Sequence, residues 1–174
     1  MERAIFAGGC FWCVEYLFDG VEGVEQTVSG YIGGHKVDPT YEEVCSGTTG
    51  HTEAVEVMFD PAKVSYEELL RIFWQNIDPT TPNRQFCDVG TQYRAGIFYL
   101  DQHQQELAEA SRQQVVDSKN FPHEVVTEIT PASHFYPAED YHQNFHKTNS
   151  DHYKAYHYGS GRQRRLDELW GPKK

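Results

Sequence analysis

The sequence predicts a two-layer α+β fold in which helices pack on a largely antiparallel or mixed sheet. Three observations carry this. Short apolar runs of strand length are interspersed with segments of helical periodicity, their order does not follow strict β-α-β alternation, and neither a repeat nor a linker divides the 174 residues. A chain of this length can bury one core without help from a metal or disulfides. Residues 1–174 are therefore read as one domain, irregular and rich in His and aromatics from about residue 131.

The elements follow in order. Arg3 to Ala7 reads as a buried strand ending at Gly8-Gly9, and Phe11, Val14, Leu17 and Phe18 then recur at helical spacing until Gly20. Val24 to Ile32 and Glu53 to Phe59 read as strands, separated by a polar loop long enough to be functional. Ser65 with Glu68 forms a capping box for a helix reaching about Ile77, where Asp78-Pro79 ends it. A second polar loop precedes a strand from Ala95 to Leu100. Asp101 caps a helix through about Ser118, and Glu124 to Thr130 is a last strand. Ala138 to Tyr158 reads as irregular to helical. The final GSGRQRRLDELWGPKK reads as a solvated tail packed in part through Leu166, Leu169 and Trp170.

Charge and composition narrow the function. With 15 basic against 26 acidic residues, the net charge of -11 disfavours binding to a phosphate backbone, so nucleic acid is not expected as a partner. No apolar run approaches the length of a membrane span. The first residues, MERAIFAGGC, carry neither a basic leader nor a long apolar core, from which a cytoplasmic, reducing location is expected. No exposed apolar helix face is evident, and a monomer is expected. In a reducing compartment Cys10, Cys13, Cys45 and Cys87 are poor candidates for permanent crosslinks, so their value is chemical or merely apolar.

Cys10 and Cys13 bracket Phe11 and Trp12 directly after the two glycines. A sharp turn into a helix puts Cys10 in the first turn, where unpaired N–H groups and the helix dipole favour a thiolate. In a regular helix the two Cβ atoms stand about 5–6 Å apart. A disulfide needs about 3.5–4.5 Å, so a bridge requires the first turn to relax. The bulky rings between the thiols suit an apolar pocket for a small greasy group better than a flat docking surface. Haem attachment is excluded because Val14, not His, follows the second cysteine. Structural zinc lacks its second paired motif, since Cys45 and Cys87 are single thiols. His142, His146 and His152 have the spacing of a zinc hydrolase, but Gln143 stands where the general-base Glu belongs, so that reading loses its chemistry.

GCFWC is followed in order by GYIGG, PTYEEVCSGTTGHTEAV, DVGTQYRA and FYPAEDYHQ, and with these the chain closely resembles the peptide methionine sulfoxide reductase A family from about Ile5 to about Tyr158. The resemblance implies a ferredoxin-like plait and thiol-dependent reduction of L-methionine (S)-S-oxide, free or in proteins. It implies no bound cofactor, with thioredoxin, or dithiothreitol in vitro, as reductant. It makes Cys10 the nucleophile, Phe11 and Trp12 the seat of the substrate's S-methyl group, and Tyr41, Glu53, Asp88 and Tyr93 the polar residues of the site. His142, Glu139 and Asp140 would support the pocket through hydrogen bonds.

The chemistry accounts for these residue types. A thiolate attacks a sulfoxide sulfur only if the oxygen is protonated or strongly hydrogen-bonded. Glu53 shares a strand face with Val55, Val57 and Phe59, so its carboxyl points to the apolar side, where burial raises its pKa and keeps it an acid. Tyr41 and Tyr93 can add donors to the same oxygen. Oxygen transfer leaves Cys10 as a sulfenic acid that a second thiol must resolve. Many relatives carry Gly at position 13 and resolve with C-terminal cysteines; none follows Cys87 here, which points to Cys13, with Cys87 as competitor and Cys45 structural. A general CxxC thiol-disulfide oxidoreductase is the alternative activity, and a nonenzymatic metal-stabilised module the third class.

Overall fold

The computed structural model describes residues 1–118, 121 and 123–171. Among these residues the strands are β1 Glu2–Ala7, β2 Val24–Ile32, β3 Thr52–Phe59, β4 Arg84–Gln85, β5 Asp88–Val89, β6 Gly96–Tyr99, β7 Glu128–Pro131 and β8 Tyr136–Pro137. The helices are α1 Phe11–Asp19, α2 Tyr41–Cys45, α3 Tyr66–Trp74, α4 Gln102–Ser118, α5 Phe145–Thr148, α6 Ser150–Gly159 and α7 Arg162–Trp170. The architecture is the expected α+β one. The main sheet runs β7-β6-β1-β3-β2-β8, with β6 and β7 parallel and every other pair antiparallel, while β4 and β5 form a separate hairpin.

Period-two alternation divides each inner strand between two environments. Ala4 and Phe6 of β1 with Val55, Val57 and Phe59 of β3 face α1 and α3, whose Phe18, Leu69, Leu70 and Phe73 are sealed from solvent. Phe6 is central there, with ring centroids 5.0 Å from Phe18 and 5.3 Å from Phe73. The opposite face, with Ile5, Ala7, Ile32, Ala54 and Phe98, is covered by Ala132 and Phe135 rather than by a helix. Among the described residues no helix is long and apolar enough to cross a membrane.

Several boundaries differ from the sequence reading for local reasons. Ser65 accepts from Glu68 N–H at 3.1 Å, but the Glu68 carboxylate turns to Arg71, so the expected box is only half made, and α3 ends at Trp74. The complete box lies at Thr40 and Glu43, with bonds of 3.2 and 3.0 Å, and it starts α2 inside a stretch read as loop. β7 begins only at Glu128, because Val126 N–H is drawn to Pro79 O at 2.8 Å. The stretch read as a solvated tail is α7, and Arg162 at its start is buried; Pro172 to Lys174 lie outside the described residues.

Two polar side chains, the buried Glu15 and the half-buried Gln143, tie the C-terminal segment to the sheet. The Glu15 carboxylate in α1 accepts from Thr27 Oγ1 at 3.0 Å and from Asn144 N–H at 2.8 Å. Gln143 satisfies both backbone groups of Ser29 at 2.9 Å, as a neighbouring strand would. That gives Gln143 a structural task at the position where a hydrolase would carry its base.

Candidate active site

Gly8 and Gly9 are required at the turn from β1 into α1. Gly9 has φ +90°, and a Cβ there would stand 2.6 Å from Gln85 Cβ; one on Gly8 would stand 2.9 Å from Ile77 Cγ2. Backbone therefore packs directly on the segment from Asn76 to Gln85, and Cys10 lands outside the helix as its N-cap, with ψ 124°. Cys13 is the third helical residue. An N-cap side chain naturally lies over this first turn, so the two sulfurs are brought together without the helical relaxation that sequence spacing demanded.

The helix N-terminus serves a carboxyl instead of a sulfur. Phe11 N–H donates to Glu53 Oε1 at 3.1 Å. Glu53 sits in the central strand opposite Tyr31 and is 1% exposed. Burial, opposed by the Phe11 N–H and reinforced by the charge of Asp88, pushes its pKa up to about 8. The side chain is therefore predominantly a neutral acid at neutral pH.

Aromatic rings form the surrounding wall. Phe11 is sealed among Tyr31, Tyr41 and His142, with centroids 5.7, 6.4 and 5.0 Å away. Trp12 keeps partial exposure. It stacks on Phe145 at 3.8 Å and meets Tyr156 edge-on at 5.7 Å. In this conformation contact with a ligand falls to Trp12, with Phe11 as its backing. His142 Nδ1 accepts from Trp12 Nε1–H at 3.1 Å and fixes that ring. Glu139 accepts from Tyr31 Oη–H at 2.9 Å and from Tyr41 N–H at 3.0 Å, which orients α2.

Asp88 and Tyr93 approach from the hairpin and the 3-10 turn Thr91–Tyr93 that follows it. Asp88 accepts a hydrogen bond from the hydroxyl of Tyr156, a residue of α6 that sequence reasoning did not single out. Burial raises the pKa of Asp88, and burial with the charge of Glu53 raises that of Tyr93, so the tyrosine stays a hydrogen-bond donor. Burial acts likewise on Tyr41, again with Glu53 adding to it. Cys45, expected to be structural, has its thiol beside the hydroxyls of Tyr41 and Tyr93. Cys87 is exposed, with Sγ 3.8 Å from Asp88 Oδ1. Cys10, Cys13, Glu53, Asp88, Tyr93 and Tyr156 lie close enough to influence one another's ionisation.

The surroundings of the two thiols favour a different one as the anion from the sequence expectation. Burial, the adjoining Cys13, and the carboxyls of Glu53 and Asp88 push the Cys10 thiol up. The hydrogen bond from Cys10, the Arg162 guanidinium and His157 draw the Cys13 thiol down, against its own burial. Of the two thiols, Cys13 and not Cys10 is therefore the one whose surroundings favour the anion. The reason is placement: the N–H group expected to stabilise a Cys10 thiolate is engaged by Glu53, while the cation arrives from α7 on the Cys13 side. Sequence reasoning missed Arg162, Tyr156 and His157. The one signal available for Arg162 was the recurrence of Arg162, Leu166 and Trp170 at four-residue spacing, the mark of one helix face.

The three histidines of the hydrolase-like spacing serve separate contacts: His142 holds Trp12, His146 pairs with Asp19 at 3.2 Å, and His152 lies edge-on to Trp12. Among the described residues no group of three or more His, Cys, Asp or Glu is placed to hold a metal ion.

The sequence profile of the family described as peptide methionine sulfoxide reductase matches residues 2–174. The chain belongs to this family. It is 55% identical over 172 residues to peptide methionine sulfoxide reductase MsrA of Bacillus subtilis (strain 168), covering 99% of this chain and 97% of that protein. Methionine sulfoxide reductase A of Corynebacterium diphtheriae superposes with a TM-score of 0.76 at 35% identity, over 86% of this chain and 75% of that one. Mxr1 from Saccharomyces cerevisiae in reduced form superposes with a TM-score of 0.78 at 30% identity, over 86% of each chain. The yeast protein in complex with Trx2 is similar at 22% identity with a TM-score of 0.57, over 83% of this chain and 84% of that one, a likeness of fold alone. Family membership and the geometry coincide at the motif residues, since GCFWC, the Glu53 strand and the Asp88–Tyr93 turn meet in one place.

Proposed function

We propose that this peptide methionine sulfoxide reductase acts on the S epimer, L-methionine (S)-S-oxide, free or in proteins, with Cys10 as the atom that accepts oxygen. The observation that carries this reading is the buried, neutral Glu53 carboxyl beside the N-cap cysteine. Glu53, assisted by the hydroxyls of Tyr41 and Tyr93, hydrogen-bonds the sulfoxide oxygen, and the S-methyl group rests on Trp12 with Phe11 behind it. As Cys10 sulfur attacks, the S–O bond of the substrate breaks and its electron pair remains on methionine sulfur. Glu53 supplies a proton to the transferred oxygen and regains one from the Cys10 thiol. The balance is one thiol and one sulfoxide converted to one sulfenic acid and one thioether. Asp88, oriented by Tyr156, positions substrate or water.

Cys13 then resolves the sulfenic acid as a Cys10–Cys13 disulfide and water is released. Such a bridge needs a two-electron dithiol, so thioredoxin is the proposed reductant, replaceable by dithiothreitol, and no bound cofactor is required. The neutral Glu53 acid beside Cys10 is a group that sulfoxide reduction uses and a general exchanger of protein disulfides does not need. We further read residues 1–174 as one monomeric, cytoplasmic domain. The inner strand order β6-β1-β3-β2, with α1 and α3 on one face, supports reading it as a ferredoxin-like plait.

With free L-methionine (S)-S-oxide and dithiothreitol, methionine is expected to form catalytically while insulin is not reduced in the absence of sulfoxide. Insulin reduction without turnover of the sulfoxide would favour the general oxidoreductase instead.

A further inference from the structure

Cys13 has an environment of its own. A cavity of 210 Å³ is lined by Cys13, Tyr153, His157, Arg162 and Gln163, among others, and by none of the residues assigned to substrate. His157 Nδ1 lies 4.0 Å from Cys13 Sγ. Arg162 is 6% exposed, a rare burial for a guanidinium, and its position is fixed by three contacts. Its Nη2 donates to Gly8 O at 2.8 Å, its Nη1 donates to Asn76 O at 2.8 Å, and its Cζ lies 4.3 Å over the Phe86 ring. None of these partners carries a negative charge. Among the described residues the guanidinium of Arg162 thus has carbonyl hydrogen-bond acceptors but no ion pair, and its charge acts on the Cys13 sulfur and, with it, on Asp88.

We propose that Arg162 and His157, brought in by the last two helices, form a seat for an anionic Cys13 sulfur, making it the nucleophile toward oxidised Cys10 and the group expelled when that disulfide is reduced. In the first step the Cys13 thiolate gives its electron pair to Cys10 sulfur, the S–O bond of the sulfenic acid breaks, and the oxygen leaves with a proton from Glu53 as water. In the second, a thiolate of the external dithiol attacks Cys10 sulfur and the S–S electron pair returns to Cys13. A stabilised thiolate is the better leaving group. The inference rests on the reading of Cys13 as the resolving cysteine.

The groups that bear on Cys13 come from every neighbouring element: Cys10 at the N-cap, Tyr153, Tyr156 and His157 of α6, Arg162 of α7, Glu53 of β3 and Asp88 of β5. Arg162 and His157 are those that favour the anion alongside the Cys10 hydrogen bond; the carboxyls oppose it.

The test uses the full chain with Arg162→Met, Arg162→Lys and His157→Asn, each also combined with Cys10→Ser. In one turnover with free L-methionine (S)-S-oxide, methionine release and disulfide formation are timed separately and the crosslink is mapped. Iodoacetamide labelling of Cys13, read by peptide mass against pH, is measured in the Cys10→Ser chains. Loss of the Arg162 charge is expected to slow disulfide formation about tenfold or more, with methionine release changed less than the disulfide step, and to move Cys13 labelling to higher pH by about one unit or more. Arg162→Lys should restore much of that shift, which a purely structural role would not. If Arg162→Met fails to fold, His157→Asn is expected to show a smaller shift in the same direction. A Cys10–Cys13 crosslink formed at the wild-type rate, with labelling unshifted in the folded variants, overturns this inference alone. A Cys10–Cys87 crosslink with Cys13 still alkylatable overturns the resolver assignment as well.

Discussion

Cys10→Ser is expected to reduce methionine formation from L-methionine (S)-S-oxide to the level given by dithiothreitol alone. The reason lies in the reaction coordinate. The sulfur at position 10 must be oxidised to a sulfenic acid and then lose that oxygen as water when a second thiol attacks it, and a hydroxyl oxygen can do neither. Folding is expected to be unaffected, because the Cys10 thiol makes no cap bond to the helix. Cys13 is not expected to substitute, for it lines the cavity beside His157 and Arg162 while Glu53 bonds the N–H next to Cys10. Methionine production by the serine variant at a rate near wild type would place the acceptor on another residue. The measurement is a single-turnover assay with the S epimer and intact-mass confirmation of the fold-competent variant.

Glu53→Gln is expected to slow formation of the sulfenic acid by well over tenfold, on the order of 10²–10⁴-fold, the usual range for losing a positioned general acid. Gln keeps an oxygen for Phe11 N–H but has no proton to give to a leaving oxygen. The pH dependence separates this from a packing effect. The acid form prevails below about 8, so the wild-type step should fall as pH rises through that value, and the variant should lack that limb. The wild-type stability should fall with rising pH as well. A carboxyl raised from 4.5 to about 8 in the fold binds more protons folded than unfolded, so its contribution is fully present below 4.5 and is lost as pH rises toward 8. At pH 7 the penalty for keeping this carboxyl buried is on the order of 3 kcal/mol. The Gln variant is therefore expected to melt higher than wild type at pH 8 while turning over far more slowly. An unchanged pH-rate profile would place the acid elsewhere.

The legible parts of the molecule are those written locally. β2 spans Val24–Ile32 because its alternation and β-branched content leave little choice, and Asp101 caps α4 through a 2.8 Å bond to Gln104 N–H. Glu53 was legible too, since one strand face fixed its direction and burial its acidity. What the sequence did not reveal depends on distant groups. Which thiol the surroundings favour as an anion depends on Phe11 N–H being engaged by a carboxyl 42 positions away in β3, and on a guanidinium from α7. Tyr156 is one of eleven tyrosines, and only its reach to Asp88 distinguishes it. The basic run from Arg162 looked solvated because local charge gives no hint that one of its arginines closes over Gly8 and Asn76. α2 was missed for a different reason: its Thr40–Glu43 box is readable but lies in a stretch whose Gly and Pro content suggested a loop.

The central claim is that oxygen passes from the methionine sulfur to Cys10 before any disulfide exists. The most direct measurement is the mass of the Cys10 peptide from Cys13→Ser after one turnover with ¹⁸O-labelled L-methionine (S)-S-oxide, trapped with dimedone or left untrapped. The account predicts one equivalent of methionine and one ¹⁸O atom on Cys10 in the untrapped peptide, exchanged for a dimedone adduct when the trap is present. Stoichiometric methionine with Cys10 unmodified and oxygen on another residue would contradict it.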